Sequence, residues 1–147
     1  MNNESMILRL NEIFQTFMEF NEKEFKANYN NLNINEVHAI DYIGRTEKAN
    51  VTKITNHLKI SKGGVTKITK KLISKEYIIV YQNVENKKEK YFSLTEKGKE
   101  IFIKHKKLHM IAMERDQKIF QNFTENEKEI ISNFLNILKN DLKEKMK

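Results

Sequence analysis

Apolar residues recur at helical spacing along most of this chain. Between residues 4 and 29 they fall at Met6, Leu10, Ile13, Phe17 and Phe20, with Ile7, Phe14, Met18 and Phe25 widening the stripe. That spacing predicts an amphipathic helix whose apolar arc is too broad for a helix lying alone on a small domain. The asparagine-rich residues 28–31 break the pattern. Asn33 followed by Glu36 has the spacing of a capping box, opening a second helix over Val37, Ile40 and Ile43 with Gly44 as its end. Val51, Ile54 and Leu58, then Val65, Ile68 and Leu72, predict two short amphipathic helices. Only Leu58-Lys59-Ile60-Ser61 separates them, room for a tight turn, and Ser61 is placed to cap the second helix. Two helices on such a turn form a helix-turn-helix.

Beyond residue 76 the period changes. Tyr77-Ile78-Ile79-Val80-Tyr81 and Lys90-Tyr91-Phe92-Ser93-Leu94 are rich in β-formers and flank a polar, lysine-bearing loop, which predicts a hairpin beside the helix-turn-helix, a wing. Thr95 caps a long helix to about Phe120. Thr124 and Glu127 form a second capping box that opens a last helix carrying Ile130, Ile131, Phe134, Leu135, Ile137, Leu138 and Leu142. The expected fold class is mainly α with a small β-hairpin wing: a winged helix-turn-helix lobe over residues 33–94, with helices over residues 4–29 and 95–146. The first, fifth and sixth helices have more apolar face than so small a lobe can cover. A homodimer burying these three helices accounts for the surplus.

Charge sharpens the picture. Residues 48–75 hold eight lysines and no acidic residue, more positive charge than the net +7 of the whole chain, so the rest of the sequence is close to neutral. If Val65, Ile68 and Leu72 face the core, then Lys62, Thr66, Lys67, Thr69 and Lys70 face outward, with Ser61 and Gly63 at the helix start. These are donors for phosphate oxygens and base edges on a rod that the DNA major groove admits. In the wing, Lys87, Lys88 and Lys90 are placed to reach an adjacent minor groove, with Glu85 and Glu89 diluting the field. Against this, the chain is rich in Lys, Asn and Ile throughout, and a lysine run is commonly only a solvated helix face.

Other classes are narrowed by what the chain lacks. There is no cysteine for disulfides or thiolate metal sites and no proline, and the 147 residues suit one domain, residues 1–147. The longest apolar run, Ile78-Ile79-Val80, is far too short to span a membrane. The start of the chain has neither the basic region nor the apolar segment of a secretory signal, so the expectation is a cytoplasmic protein. No phosphate-binding glycine loop is present, and His105-Lys106-Lys107-Leu108-His109 lacks the glutamate base of a metallopeptidase helix, so no enzyme is expected.

The four histidines carry the remaining chemistry. His105 and His109 lie four residues apart on the fifth predicted helix, so their rings share a face, among apolar neighbours that should bury them in part. Glu24 continues the first helix's stripe, and His38 follows Val37 on the second helix. Together they offer three nitrogens and one carboxylate, a set that zinc accepts. The alternative is that the histidines are simply packed or exposed. His57, on the first helix of the helix-turn-helix, reads as a phosphate contact or an idle surface residue.

The order of these elements resembles the MarR family of bacterial transcription regulators. The residues that carry the likeness are Leu32-Asn33-Ile34-Asn35-Glu36 opening the second helix, Val65-Thr66-Lys67, and Leu94-Thr95-Glu96-Lys97-Gly98 closing the wing. The resemblance implies a triangular homodimeric repressor on double-stranded DNA, at a pseudo-palindromic operator, with one recognition helix per half-site. The Asp-x-Arg usual in family wings appears here as Asn86-Lys87-Lys88. Within the family the chain looks most like the zinc-sensing repressors of zinc uptake. That likeness implies a zinc ion held by Glu24, His38, His105 and His109. The second, cysteine-containing site of those relatives does not carry over, because Val37 and Lys104 stand where acidic ligands belong. A regulator released from DNA by a small organic ligand is the other reading the resemblance allows.

Overall fold

The computed structural model describes residues 1–147. Its elements run α1 (Asn3–Asn28), α2 (Ile34–Arg45), α3 (Val51–Leu58), α4 (Lys62–Ser74), β1 (Ile78–Tyr81), β2 (Tyr91–Leu94), α5 (Glu96–Phe120) and α6 (Glu125–Lys145). The chain resolves into two compact units, residues 1–105 and 106–147. The first ends within α5.

In the first unit the core is built by the positions that the apolar spacing selects. Val37, Ile40 and Ile43 of α2, Ile54 of α3, and Val65, Ile68 and Leu72 of α4 are buried with Ile78 and Phe92 of the hairpin. Each helix start is satisfied by a side chain, as its otherwise unpaired N–H groups require. Asn33 Oδ1 accepts from Glu36 N at 2.8 Å and Glu36 Oε1 accepts from Asn33 N at 3.1 Å, completing the capping box. Ser61 Oγ accepts from Gly64 N at 3.0 Å. Helix α2 continues one residue past Gly44 to Arg45. Lys59 closes α3 in the left-handed conformation at φ 56°, which turns the chain sharply enough for α4 to begin three residues later.

Strands β1 and β2 pair antiparallel with Ile78 opposite Leu94 and Tyr81 opposite Tyr91. An isolated bridge from Ala49 to Phe92 ties the segment before α3 to the hairpin. Ala49 O accepts from Phe92 N at 2.8 Å. A mainly helical chain with a two-stranded wing is therefore the observed fold class. Gly98 lies where α5 meets the end of α4: a Cβ there would fall far inside contact distance of the Tyr77 carbonyl oxygen. Thr95 fixes the same junction, with its Oγ1 donating to Glu76 O at 2.6 Å and accepting from Gly98 N at 3.1 Å. Gly44 has a similar role on α2, since a Cβ there would sit 2.6 Å from the Phe102 ring of α5.

Helix α1 buries none of its residues. Met6, Ile13, Phe17 and Met18 are among its exposed apolar side chains. In the second unit α6 is likewise without a buried residue, and Ile130, Phe134, Leu135 and Ile137 lie open. Thr124 and Glu127 cap it reciprocally, at 3.3 and 2.7 Å. No helix is long and apolar enough to cross a membrane.

Gly98→Ala should lower stability by about 1–3 kcal/mol, because the added methyl group meets backbone rather than a yielding side chain. Thermal melts of the two proteins test this, and an unchanged midpoint would contradict the packing described at the Tyr77 carbonyl.

Candidate functional site

Helix α4 presents two faces with different chemistry. The buried face carries Val65, Ile68, Thr69 and Leu72, spaced as one stripe of a helix. Thr69 is thus not an outward donor as its polarity suggests. It is 3% exposed, and its Oγ1 donates to Thr66 O at 3.0 Å. The helical period places position 69 beside 65 and 72, and the period prevails over the hydroxyl, which is satisfied by the preceding turn. The opposite face holds Lys62, Lys67 and Lys70, all exposed. Thr66 is half-buried and its Oγ1 donates to Lys62 O at 3.0 Å. Gly63 is exposed and has open space around it, so a surface can approach the helix start closely. In the loop between β1 and β2, Lys87, Lys88 and Lys90 are exposed. Asn83 Oδ1 accepts from Glu85 N at 3.2 Å and Asn86 Oδ1 from Lys88 N at 3.3 Å, so two local asparagine turns shape it.

Not every lysine of the basic stretch serves that face. Lys75 Nζ donates to Asn31 O at 2.7 Å and pairs at 3.1 Å with Glu36 Oε2, whose residue is 2% exposed. Lys53 Nζ donates to the carbonyls of Glu47 and Lys48. Lys75 thus ties the end of α4 to the start of α2, while the exposed Lys53 braces the turn before α3.

The histidines divide. His38 of α2 and His105 of α5 come together, ring centroids 6.0 Å apart and nearly perpendicular. His105 Nδ1 faces Asp41 Oδ1 at 3.4 Å, and its side chain is largely buried. His109 is exposed, so the expected shared burial of the 105/109 pair is not found. The neighbouring Met110 and Ile111 are themselves bare and give it no cover. Glu24 is exposed on α1, its carbonyl accepting from Asn28 Nδ2 at 2.8 Å. No three His, Asp or Glu side chains are gathered closely enough to hold a metal ion. His38 and His105, with Asp41 nearby, therefore do not form a metal site as they stand.

Asp41, Tyr42 and Arg45 are the residues that the histidine count missed. With His38 they fall at i, i+3, i+4 and i+7, one stripe of α2, and that period was the available signal. Asp41 Oδ2 pairs with Arg45 Nε at 3.0 Å. Arg45 Nη2 is 2.9 Å from His57 Nε2, and the His57 ring stacks on Tyr42 with centroids 4.4 Å apart. His57 is exposed, and these contacts fasten its ring to α2. A guanidinium can only donate, so His57 Nε2 accepts and the proton sits on Nδ1. Tyr29 lies within the field of Asp41. Burial, then the Asp41 charge, pushes its phenol above the ordinary value, and its hydroxyl is buried without a partner.

Lys75→Met should lower stability by about 1–3 kcal/mol by leaving the buried Glu36 carboxylate short of a partner. Lys71→Met, at an exposed position, should change it far less. Equal melting points for the two variants would contradict the assignment.

Comparison with known proteins gives this arrangement its context. Residues 32–90 match the MarR family. HTH-type transcriptional regulator PchR of Bacillus subtilis (strain 168) is 40% identical over 110 residues, 75% of this chain and 65% of PchR, so the chain spans just under two thirds of that relative. Among solved structures, that of a zinc-responsive MarR family member, Lactococcus lactis ZitR, superposes with a TM-score of 0.78 at 26% identity, covering 93% of this chain and 99% of that one. Streptococcus pneumoniae FabT in complex with DNA superposes with a TM-score of 0.76 at 24% identity over 97% of this chain and 99% of FabT, a likeness of fold.

Proposed function

We propose that this chain, whose residues 32–90 match the MarR family, is a MarR-type regulator: a homodimeric DNA-binding transcription repressor that responds to zinc. The observation that carries the DNA reading is the outer face of α4: Lys62, Lys67 and Lys70 exposed on a helix capped by Ser61, with Lys87, Lys88 and Lys90 in the loop beside it. A helix of this width enters a major groove, its lysines neutralising phosphates while Thr66 and the open approach at Gly63 bring the helix start to base edges. The bare apolar faces of α1 and α6 support a dimer, since patches of that extent are seldom left to water. Two copies then present two α4 helices to a pseudo-palindromic operator.

For the metal reading, the support is the donor set and ZitR, described as a zinc-responsive MarR family member. Glu24, His38, His105 and His109 are the residues that would hold the ion, His38 and His105 already side by side. Bound zinc would supply a fixed cross-link among helices α1, α2 and α5, favouring whichever conformation brings its donors together. A second reading has its own observation. An open groove of about 790 Å³, lined among others by Ile43, Tyr81, Phe92, Phe102 and Ile103, suits a small apolar ligand that releases the protein from DNA.

A duplex carrying the gene's own upstream region should bind at least about 10³-fold more tightly than random duplex at physiological salt. Lys67→Ala should weaken binding to both and reduce the salt slope by about one. Thr69→Val should leave duplex affinity unchanged. Adding zinc should tighten operator binding and a chelator should loosen it. The double variant His105→Ala/His109→Ala should lose that response while keeping basal affinity. Zinc-independent binding that an apolar ligand relieves would instead favour the groove.

A further inference from the structure

Helix α3, the first helix of the helix-turn-helix, is anchored by little apolar burial. Of its eight residues only Ile54 is buried. At its C-terminal end, two residues before the left-handed turn at Lys59 that leads into α4, it presents His57 to α2. There the ring meets a seat that α2 builds by itself. Tyr42 and Arg45 lie three residues apart and so share a face of that helix. Arg45 is steered from behind, its Nε donating to Asp41 Oδ2 at 3.0 Å, and its guanidinium carbon stands 5.5 Å from the centroid of the Tyr42 ring. His57 stacks on that ring with centroids 4.4 Å and planes 19° apart, and its Nε2 accepts from Arg45 Nη2 at 2.9 Å. Two side chains of α2 thus clamp the end of α3 from which α4 departs.

We propose that His57 and Arg45 are positioning residues for duplex recognition: the hydrogen bond between them seats α3, and through it α4, and proton uptake by His57 releases that seat. The inference rests on the DNA-binding reading above and is independent of the metal. A guanidinium only donates, so the contact exists only while His57 Nε2 keeps its lone pair. An imidazolium has none. Protonation therefore removes the acceptor and sets two cations against each other across 2.9 Å. The groups that face the ring come from α2: Arg45, Tyr42 and, behind Arg45, the carboxylate of Asp41, which Arg45 already engages. From α4 the ring receives no hydrogen bond or ion pair. Selective binding is thus full while imidazole is neutral and falls as pH drops through the range, about pH 8 to 5, in which imidazole ordinarily takes up its proton. Binding to random duplex draws on lysine charge rather than on the seating of α4, so it does not fall in step. Acid lowers discrimination more than affinity.

The test measures the affinity of the full-length protein for a duplex of its upstream region and for random duplex, from about pH 8 to about pH 5.5 at one ionic strength. The ratio of the two should fall about 2–10-fold on acidification, the loss expected for one hydrogen bond. His57→Gln, whose amide oxygen can accept from Arg45 and cannot take up a proton, should hold the high ratio across the range. His57→Ala and Arg45→Met should show the low ratio at the alkaline end and little change below it. A change in stability alone would not abolish the pH dependence while keeping the high ratio, as the glutamine variant should. Ring nitrogen shifts of the wild type, which need no variant, should show neutral His57 protonated at Nδ1. A wild-type ratio that stays flat over the range overturns the inference, as does a His57→Gln protein with the wild-type pH dependence or a neutral His57 protonated at Nε2. Wild type without preference for the upstream duplex at the alkaline end overturns it together with the DNA-binding reading.

Discussion

Burial of one face of α2 is the constraint on which the rest of the first unit depends. Val37, Ala39, Ile40 and Ile43 are almost wholly enclosed, against the helix-turn-helix and the hairpin and close to the start of α5. Gly44 is small because the Phe102 ring passes where a side chain would be. Once that face is fixed, helical geometry directs His38, Asp41, Tyr42 and Arg45 along a second stripe of the same helix. The polar network therefore follows from the same helical phase that sets the core. The buried end of α2 is held by charge: Glu36 closes the capping box and takes Lys75 from the end of α4, so one carboxylate locks the start of α2 to the C-terminal end of α4.

That lock explains how a strongly basic segment divides its labour. The lysines of residues 48–75 are uniform in composition and distinct in use. Lys53 and Lys75 are turned to backbone carbonyls and, for Lys75, to Glu36. Lys62, Lys67 and Lys70 stand on the open side of α4. Apolar anchoring at Val65, Ile68 and Leu72 sets which is which, because it fixes the rotation of α4 about its own axis. A positive surface results from packing as much as from charge count.

Much of this was legible in the order of residues, and the physical reason is periodicity. Long apolar stripes, capping boxes at Asn33 and Thr124 and the serine cap at Ser61 are local signals that tertiary packing did not override. Thr69 was misplaced because residue type outweighed phase, and the spacing from Val65 would have corrected it. The link from Asp41 to His105 and from Arg45 to His57 spans separate elements, so no local pattern could supply it, although the four-residue stripe on α2 hinted at a shared purpose. The exposed position of His109 was likewise beyond the sequence, since its neighbours look like core residues and are left bare.

The claim at the centre of the account is that the outer face of α4 and the adjoining hairpin loop read duplex DNA. Backbone amide shifts recorded while a duplex of the upstream region is titrated into the protein test it most directly. The account predicts that perturbation concentrates at residues 61–70 and 83–90, with the exposed apolar face of α6 left unmoved. Shifts confined to α1 and α6, or none at cellular ionic strength, would contradict it.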